Sequence, residues 1–327
     1  MKNKKFFITF LLLTIIIGTT LQYKKISNYF SIYYYTNIIN NDKNNIDAYI
    51  ERGNIYSTLQ KRKNALADYS KAIELNTNNP TAYNARGSYY LYVKNYEQAI
   101  KDYTKAIELG EKNIAIYYTR GMAYAKLGDY NDNLDDYKHA IKDYNKIIEF
   151  DNNNPFVYFD RGNAYYKLKN YEQAIKDYNR VIEIDNQDKK AYFKRGIVFK
   201  DLKEYKKAIE DFSKVIELDS NCADAYSYRG EIYLFNTNEY KKAIEDFSKN
   251  IEIDKNDGTA YYGRAVAYSR LKLYDKAVED LNKKLRLSKT DHGRIMSYID
   301  LADLYKEMNQ TELSNECIEK ARVLAEK

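Results

Sequence analysis

One phrase, Ala-Tyr-x-x-Arg-Gly, occurs four times in this chain, at Ala48–Gly53, Ala82–Gly87, Ala191–Gly196 and Ala225–Gly230. Near copies end at Gly121 and Gly162, and Ala265 and Ala302 take the glycine's place further on. The steps between these eight small residues are 34, 34, 41, 34, 34, 35 and 37 residues. A period of this length restricts the chain to a stack of similar units, because each unit is too small to bury its own apolar face and must bury it on the next.

The pattern inside a unit is helical. In the second, Tyr83, Gly87, Tyr90 and Leu91 share one stripe at three- and four-residue steps, and after a polar break Tyr96, Ala99, Ile100, Tyr103, Ala106 and Ile107 form another. Asn78-Asn79-Pro80 separates this unit from the one before. Each unit therefore reads as two short amphipathic helices. Gly87 and its equivalents let the first helix approach the second, Ala99 and Ala106 do the same from the other side, and Tyr83, Tyr90 and Tyr103 fill the space between. With only 2 prolines and 12 glycines in 327 residues, the chain has few helix breakers.

An aromatic in the first helix, a small residue four later, Tyr three beyond, then small-aromatic-small in the second helix: this series resembles the tetratricopeptide repeat family. The match runs from about residue 46 to the end, as units 46–79, 80–113, 114–154, 155–188, 189–222, 223–257, 258–294 and 295–327. Asn250, Lys284, Val181 and Val215 depart from the expected last alanine. The resemblance implies an all-α fold, a right-handed solenoid of about eight helix-turn-helix units. A half unit, 26–45, precedes the first, since the stretch from Ser31 lines up with that from Ala65.

Where the family commonly shows Leu, this chain has Arg52, Arg86, Arg120, Arg161, Arg195, Arg229 and Arg264. Each unit's second helix carries an Asp before its aromatic or leucine: Asp68, Asp102, Asp136 or Asp143, Asp177, Asp211, Asp246 and Asp280. The eighth unit loses both together, to Leu301 and Cys317. Joint presence and joint loss predict ion pairs that fix the angle between helices; the competing reading is a ladder of arginines for phosphates or acids. The third unit holds seven extra residues, a duplicated heptad (Asp135–Ile141, then Lys142–Ile148). Seven residues are nearly two turns, so the expectation is one longer second helix projecting from the stack.

The resemblance also implies that first helices line a concave groove and that the residue after each leading aromatic faces it. Those places read Ile50, Asn84, Tyr118, Phe159, Phe193, Ser227, Tyr262 and Ile299, with Asn54, Asn163, Tyr166 and Lys200 nearby. An apolar strip flanked by amides suits an extended peptide or a partner helix. The alternative is that these aromatics pack on neighbouring units and expose nothing. Some family members grip an acidic C-terminal tail through Lys and Asn, and the missing Lys at Ile50, Asn84, Tyr118 and Phe159 argues against such a clamp here. Most of the 37 tyrosines fall at recurring core places, so their abundance is no sign of an aromatic surface.

Residues 1–25 have a different character. Lys2, Lys4 and Lys5 precede an uncharged apolar run over residues 6–21, and Lys24 and Lys25 follow it. As a helix the run spans about 24 Å, slightly short of a ~30 Å hydrocarbon core, and flanking lysines make up the difference. It reads as a signal-anchor, a single transmembrane helix with the repeats on the extracytoplasmic side. A cleaved signal is the alternative, with Gly18-Thr19-Thr20 the nearest approach to a cleavage site.

The remaining composition narrows the function. The 53 basic and 47 acidic residues are intermixed, which is how solvated helix faces look rather than a nucleic-acid surface. Cys222 and Cys317 have no metal-ligand spacing, and His139 and His292 have no triad or metal-site companions. No phosphate-binding glycine loop occurs. We therefore expect neither an enzyme nor a cofactor, nucleic-acid or small-molecule binder. The expectation is a membrane-tethered scaffold for a protein or peptide. The alternatives are a structural part of an envelope assembly using its convex or end surfaces, and a secreted adaptor if the signal is cleaved.

Overall fold

The computed structural model describes residues 20–326, so the apolar run over residues 6–21 lies, but for its last two residues, outside the described residues. Among the described residues every regular element is an α-helix, and no helix is long and apolar enough to cross a membrane. The chain forms two compact units, Met1–Leu168 and Lys169–Lys327.

In the first unit, α1 (Thr20–Asn41) leads into the helix pairs α2 (Ile46–Thr58) with α3 (Arg62–Leu75), α4 (Pro80–Tyr92) with α5 (Tyr96–Glu108), and α6 (Ile114–Asn131) with α7 (Leu134–Phe150). It ends on α8 (Pro155–Lys167). The second unit starts with α9 (Tyr171–Ile184) and continues with α10 (Lys189–Asp201), α11 (Tyr205–Leu218), α12 (Ala223–Phe235) and α13 (Tyr240–Ile253). It closes with α14 (Gly258–Arg270), α15 (Tyr274–Leu287), α16 (Asp291–Glu307) and α17 (Thr311–Ala325). Within each unit successive helices pack on one another, and first helices also touch across repeats: α2 on α4, α4 on α6, α6 on α8, and α12 on α14.

The break read at Asn78-Asn79-Pro80 is where α4 begins, and equivalent asparagines start other first helices. Asn45, Asn79, Asn113 and Asn154 accept backbone N–H bonds as N-caps of first helices, and Pro80 and Pro155 take first-turn positions that need no amide hydrogen. First helices end with a residue in the left-handed region, such as Gln60 and Lys94. There the next amide reaches back five residues, Lys61 to the Tyr56 carbonyl and Asn95 to the Tyr90 carbonyl, both at 2.8 Å.

In the pairs α2–α3, α4–α5, α6–α7, α10–α11 and α12–α13 an aromatic from the second helix is sealed against the glycine of the first. Tyr69, Tyr103, Tyr144, Tyr178 and Phe212 are the largest fully buried side chains. A Cβ on Gly53 would stand 2.7 Å from the Tyr69 ring, closer than carbon atoms approach, so this contact requires glycine.

The third repeat differs from expectation. The seven extra residues do not make one projecting second helix; they lengthen both helices, to 18 residues in α6 and 17 in α7. The reason is a second glycine. Gly121 meets Tyr144 and Gly128, seven residues on, meets Tyr137, seven residues earlier, so the hairpin stays tightly packed through about one more turn on each side. The turn then falls at Asp132, with φ 52°.

The duplicated heptad leaves a cost at Asp136. This residue is 8% exposed and its Oδ2 is sealed without a hydrogen-bond partner. Burial lifts its carboxyl above the ordinary aspartate range. The folded chain then holds this proton at pH values where the unfolded chain has released it, and stability from this site falls as pH rises through that window. Asp136→Asn is accordingly expected to melt at a higher temperature than the wild type at about pH 7, with the gap closing toward about pH 4. Melting curves at both pH values check this; a gap absent at neutral pH, or one that widens on acidification, refutes it.

Candidate peptide-binding face

The arginines are not free to bind anions. Arg52 reaches Asp68 through Nε at 2.8 Å and Nη2 at 2.7 Å, a bidentate pair. The same two-pronged geometry joins Arg86 to Asp102, Arg195 to Asp211, Arg229 to Asp246 and Arg264 to Asp280. In the third repeat the structure chooses between the two candidates, and Arg120 takes Asp143 at 2.7 Å. Arg161 and Asp177 fall in different units, and Arg161 contacts Asn145 at 2.6 Å within its own.

The aspartates are almost fully buried, with side chains 3–8% exposed in these six pairs. Burial lifts the carboxyls of Asp211 and Asp246 above their ordinary range in spite of the guanidinium beside each. At these two sites the cost of desolvation and the attraction of the paired guanidinium therefore oppose one another.

Two further features of the ladder were not foreseen. A third guanidinium nitrogen reaches back to the preceding repeat: Arg52 to Thr36, Arg120 to Thr104, Arg195 to Asn179, Arg229 to Ser213 and Arg264 to Ser248. The readable signal was a hydroxyl or amide residue directly after the second-helix aromatic. Each guanidinium also lies near aromatic rings of its own first helix, as Arg52 does at 5.6 Å from Tyr49 and 5.9 Å from Tyr56.

With the arginines occupied, open space is found between neighbouring first helices. A cleft of about 670 Å³ separates α2 from α4, with Ile50 at its buried base and Asn54 and Asn84 on opposite walls. Glu51, Ser88 and Tyr92 complete its polar and aromatic lining. Asn54 accepts the Tyr69 hydroxyl at 2.9 Å through Oδ1, while its Nδ2 and the whole Asn84 amide make no hydrogen bond among the described residues. Those groups are available to a ligand's backbone.

A second cleft, about 440 Å³, lies between α6 and α8 and is lined by Ile114, Tyr118, Ile147, Phe156 and Val157. Phe156 is 72% exposed at its mouth. Tyr118 is half-buried and donates to Asp160 Oδ2 at 2.8 Å; burial, followed by the nearby Asp160 charge, holds its hydroxyl far above the usual tyrosine range. Phe159, Asn163 and Tyr166 are half-buried on α8.

In the second unit Phe193 is half-buried, edge-on to Phe212 at 5.6 Å and Tyr228 at 5.4 Å. Lys200 covers the Tyr228 ring at 4.5 Å and pairs with Glu231 at 2.8 Å. Tyr262 lines a cleft of about 210 Å³ between α14 and α16 with Val266, Leu304, Asp303 and Glu307. Lys284 sits 4.6 Å from its ring and pairs with Asp300. Among the described residues no group of His, Cys, Asp and Glu is arranged to hold a metal. His139 is exposed and stacks on Tyr124 at 4.9 Å.

Models of the TPR repeat match residues 53–94, 87–128, 134–169 and 162–203, and models of the tetratricopeptide repeat match 190–222 and 258–291, together more than half of the chain. The chain belongs to the tetratricopeptide repeat family. The C-terminal part of a TPR repeat-containing protein from Cytophaga hutchinsonii is 22% identical, with a TM-score of 0.63 over 76% of this chain and 98% of its own. A tetratricopeptide repeat protein from Parabacteroides merdae is 18% identical, with a TM-score of 0.55 over 75% of this chain and 93% of its own. These two likenesses are of fold. MamA is 29% identical, covering 49% of this chain and 93% of its own at a TM-score of 0.46. No curated protein matches the chain.

Proposed function

We propose that this tetratricopeptide protein is a membrane-tethered scaffold that holds an extended segment of another protein on its first-helix face. The observation that carries this reading is the α2–α4 cleft, where Asn84 and the Asn54 nitrogen project unused donors and acceptors over the apolar base of Ile50. An extended peptide brings backbone N–H and C=O groups in need of such partners, and side chains for the apolar pockets. The tether is residues 6–21 with lysines on both flanks, which would place the repeats extracytoplasmic and close to the bilayer. If the segment is cleaved, the same face serves a secreted adaptor.

A second reading, a structural part of an envelope assembly, is favoured by the last helix. Leu313, Ile318 and Val323 of α17 are 41%, 52% and 45% exposed, an apolar stripe that suits burial against another protein.

The test is capture from native membranes with the wild type, an Asn54→Ala/Asn84→Ala variant and a Tyr118→Ala/Phe159→Ala/Phe193→Ala variant, each shown to be folded. A partner retained by the wild type and reduced about tenfold or more by either variant is the expected result, as two lost hydrogen bonds at about 1 kcal/mol each imply. Equal capture by all three chains would refute recognition by this face and move the binding surface to α17 and the convex side.

A further inference from the structure

The third repeat holds the parts of two different hairpins. In six other repeats the residue seven positions after the small residue closes the first helix in the left-handed conformation: Gln60, Lys94, Lys169, Lys203, Lys272 and Asn309, with φ between 57° and 62°. The residue at that place in the third repeat is Gly128, the one type that adopts positive φ without steric penalty. Yet Gly128 lies inside α6, and the left-handed turn falls to Asp132 four residues later.

The ion pair is displaced in the same sense. Arg52–Asp68, Arg86–Asp102, Arg195–Asp211 and Arg264–Asp280 each span 16 residues, whereas Arg120–Asp143 spans 23. The residue 16 after Arg120 is Asp136, whose buried carboxylate has an oxygen without any partner. Tyr130, which stands where Tyr96 and Tyr205 are half-buried, is 81% exposed.

We propose that this repeat has a second register, in which the chain turns at Gly128, Asp136 takes Arg120 and Tyr137 takes Gly121. Asp136-Tyr137 and Asp143-Tyr144 are the same pair one heptad apart, so a seven-residue slide of α7 keeps its apolar face toward α6. The slide is about 10 Å at 1.5 Å per residue, a ratchet of one helix along another by two turns. It satisfies Asp136, buries Tyr130 and places glycine at the turn. Because α8 packs on α7, it also parts Tyr118 from Asp160 and remakes the α6–α8 cleft. That cleft therefore exists in two forms, and whatever binds one of them sets the register.

One distance along α6 and α7 distinguishes the two registers. Nitroxide labels at Lys126→Cys and Lys146→Cys, both exposed positions, are introduced into the full-length chain in detergent, with Cys222→Ser and Cys317→Ala removing the native thiols. Asp132→Pro excludes the present turn, because proline cannot reach φ 52°, but fits the first turn of a second helix starting near Tyr130. The expected result, read by pulsed electron resonance, is a folded protein whose label distance is about 10 Å longer than in the present register. A folded variant that keeps the wild-type distance overturns the proposal. Should Asp132→Pro not fold, Asp143→Asn decides in its place, since it leaves the turn intact and removes only Arg120's present partner. A new population about 10 Å longer supports the second register, and the wild-type distance alone overturns it.

Discussion

Asp211→Ala should cost about 3 kcal/mol, whereas the double change Arg195→Leu/Asp211→Leu should cost less than about 1 kcal/mol. The single change leaves Arg195, whose side chain is 19% exposed, as a charge with little water around it and, among the described residues, Asn179 as its remaining hydrogen-bond partner. The double change removes both charges and replaces them with apolar groups between helices already held by Phe212 and Ala208, each 0% exposed. Urea titrations followed by helical signal give the two costs. Because repeat arrays need not unfold as one unit, hydrogen exchange at α10 and α11 should accompany them. A single variant no less stable than the double would show that the ladder stabilises by charge rather than by fixing geometry.

Phe212→Ala is expected to cost about 3–5 kcal/mol and to disturb the first-helix face of the second unit as well. The ring is fully buried, it fills the close approach at Gly196, and both Phe193 and Tyr228 rest on it at 5.6 Å and 5.4 Å. Cavity formation accounts for the stability loss. Withdrawal of support from Phe193 and Tyr228 should also loosen Lys200, which covers the Tyr228 ring. Phe212→Leu, which keeps most of the volume, should cost less than half as much. Equal losses in the two variants would place the effect outside packing, and the same denaturation curves read it.

The clefts show how far the candidate face was legible. Asn54, Asn84 and Ile50 could be placed together from the repeat alone, since equivalent positions on consecutive first helices become neighbours once the units stack, and they share one cleft. What neighbouring side chains do to each candidate was not legible. Tyr118 is engaged by Asp160, 42 residues away, and Phe193 by Tyr228, 35 residues away. Lys200 is held by Glu231. Each depends on which rotamers fit between two stacked repeats, and periodicity says nothing of rotamers.

By itself the sequence determined the helix pairs, the recurring small residue of each first helix and the partners of most ladder arginines. These features repeat with a fixed short separation, so one physical solution is written several times over and identifies itself. Only the tertiary structure decided the third repeat. The duplicated heptad puts Asp136 and Asp143 on the same helical face, because seven residues come within about 20° of two full turns. Nothing local distinguishes them. The choice of Asp143 for Arg120, the lengthening of both helices and the sealing of Asp136 follow from the fit of Gly128 against Tyr137, a contact that exists only once the two helices have packed.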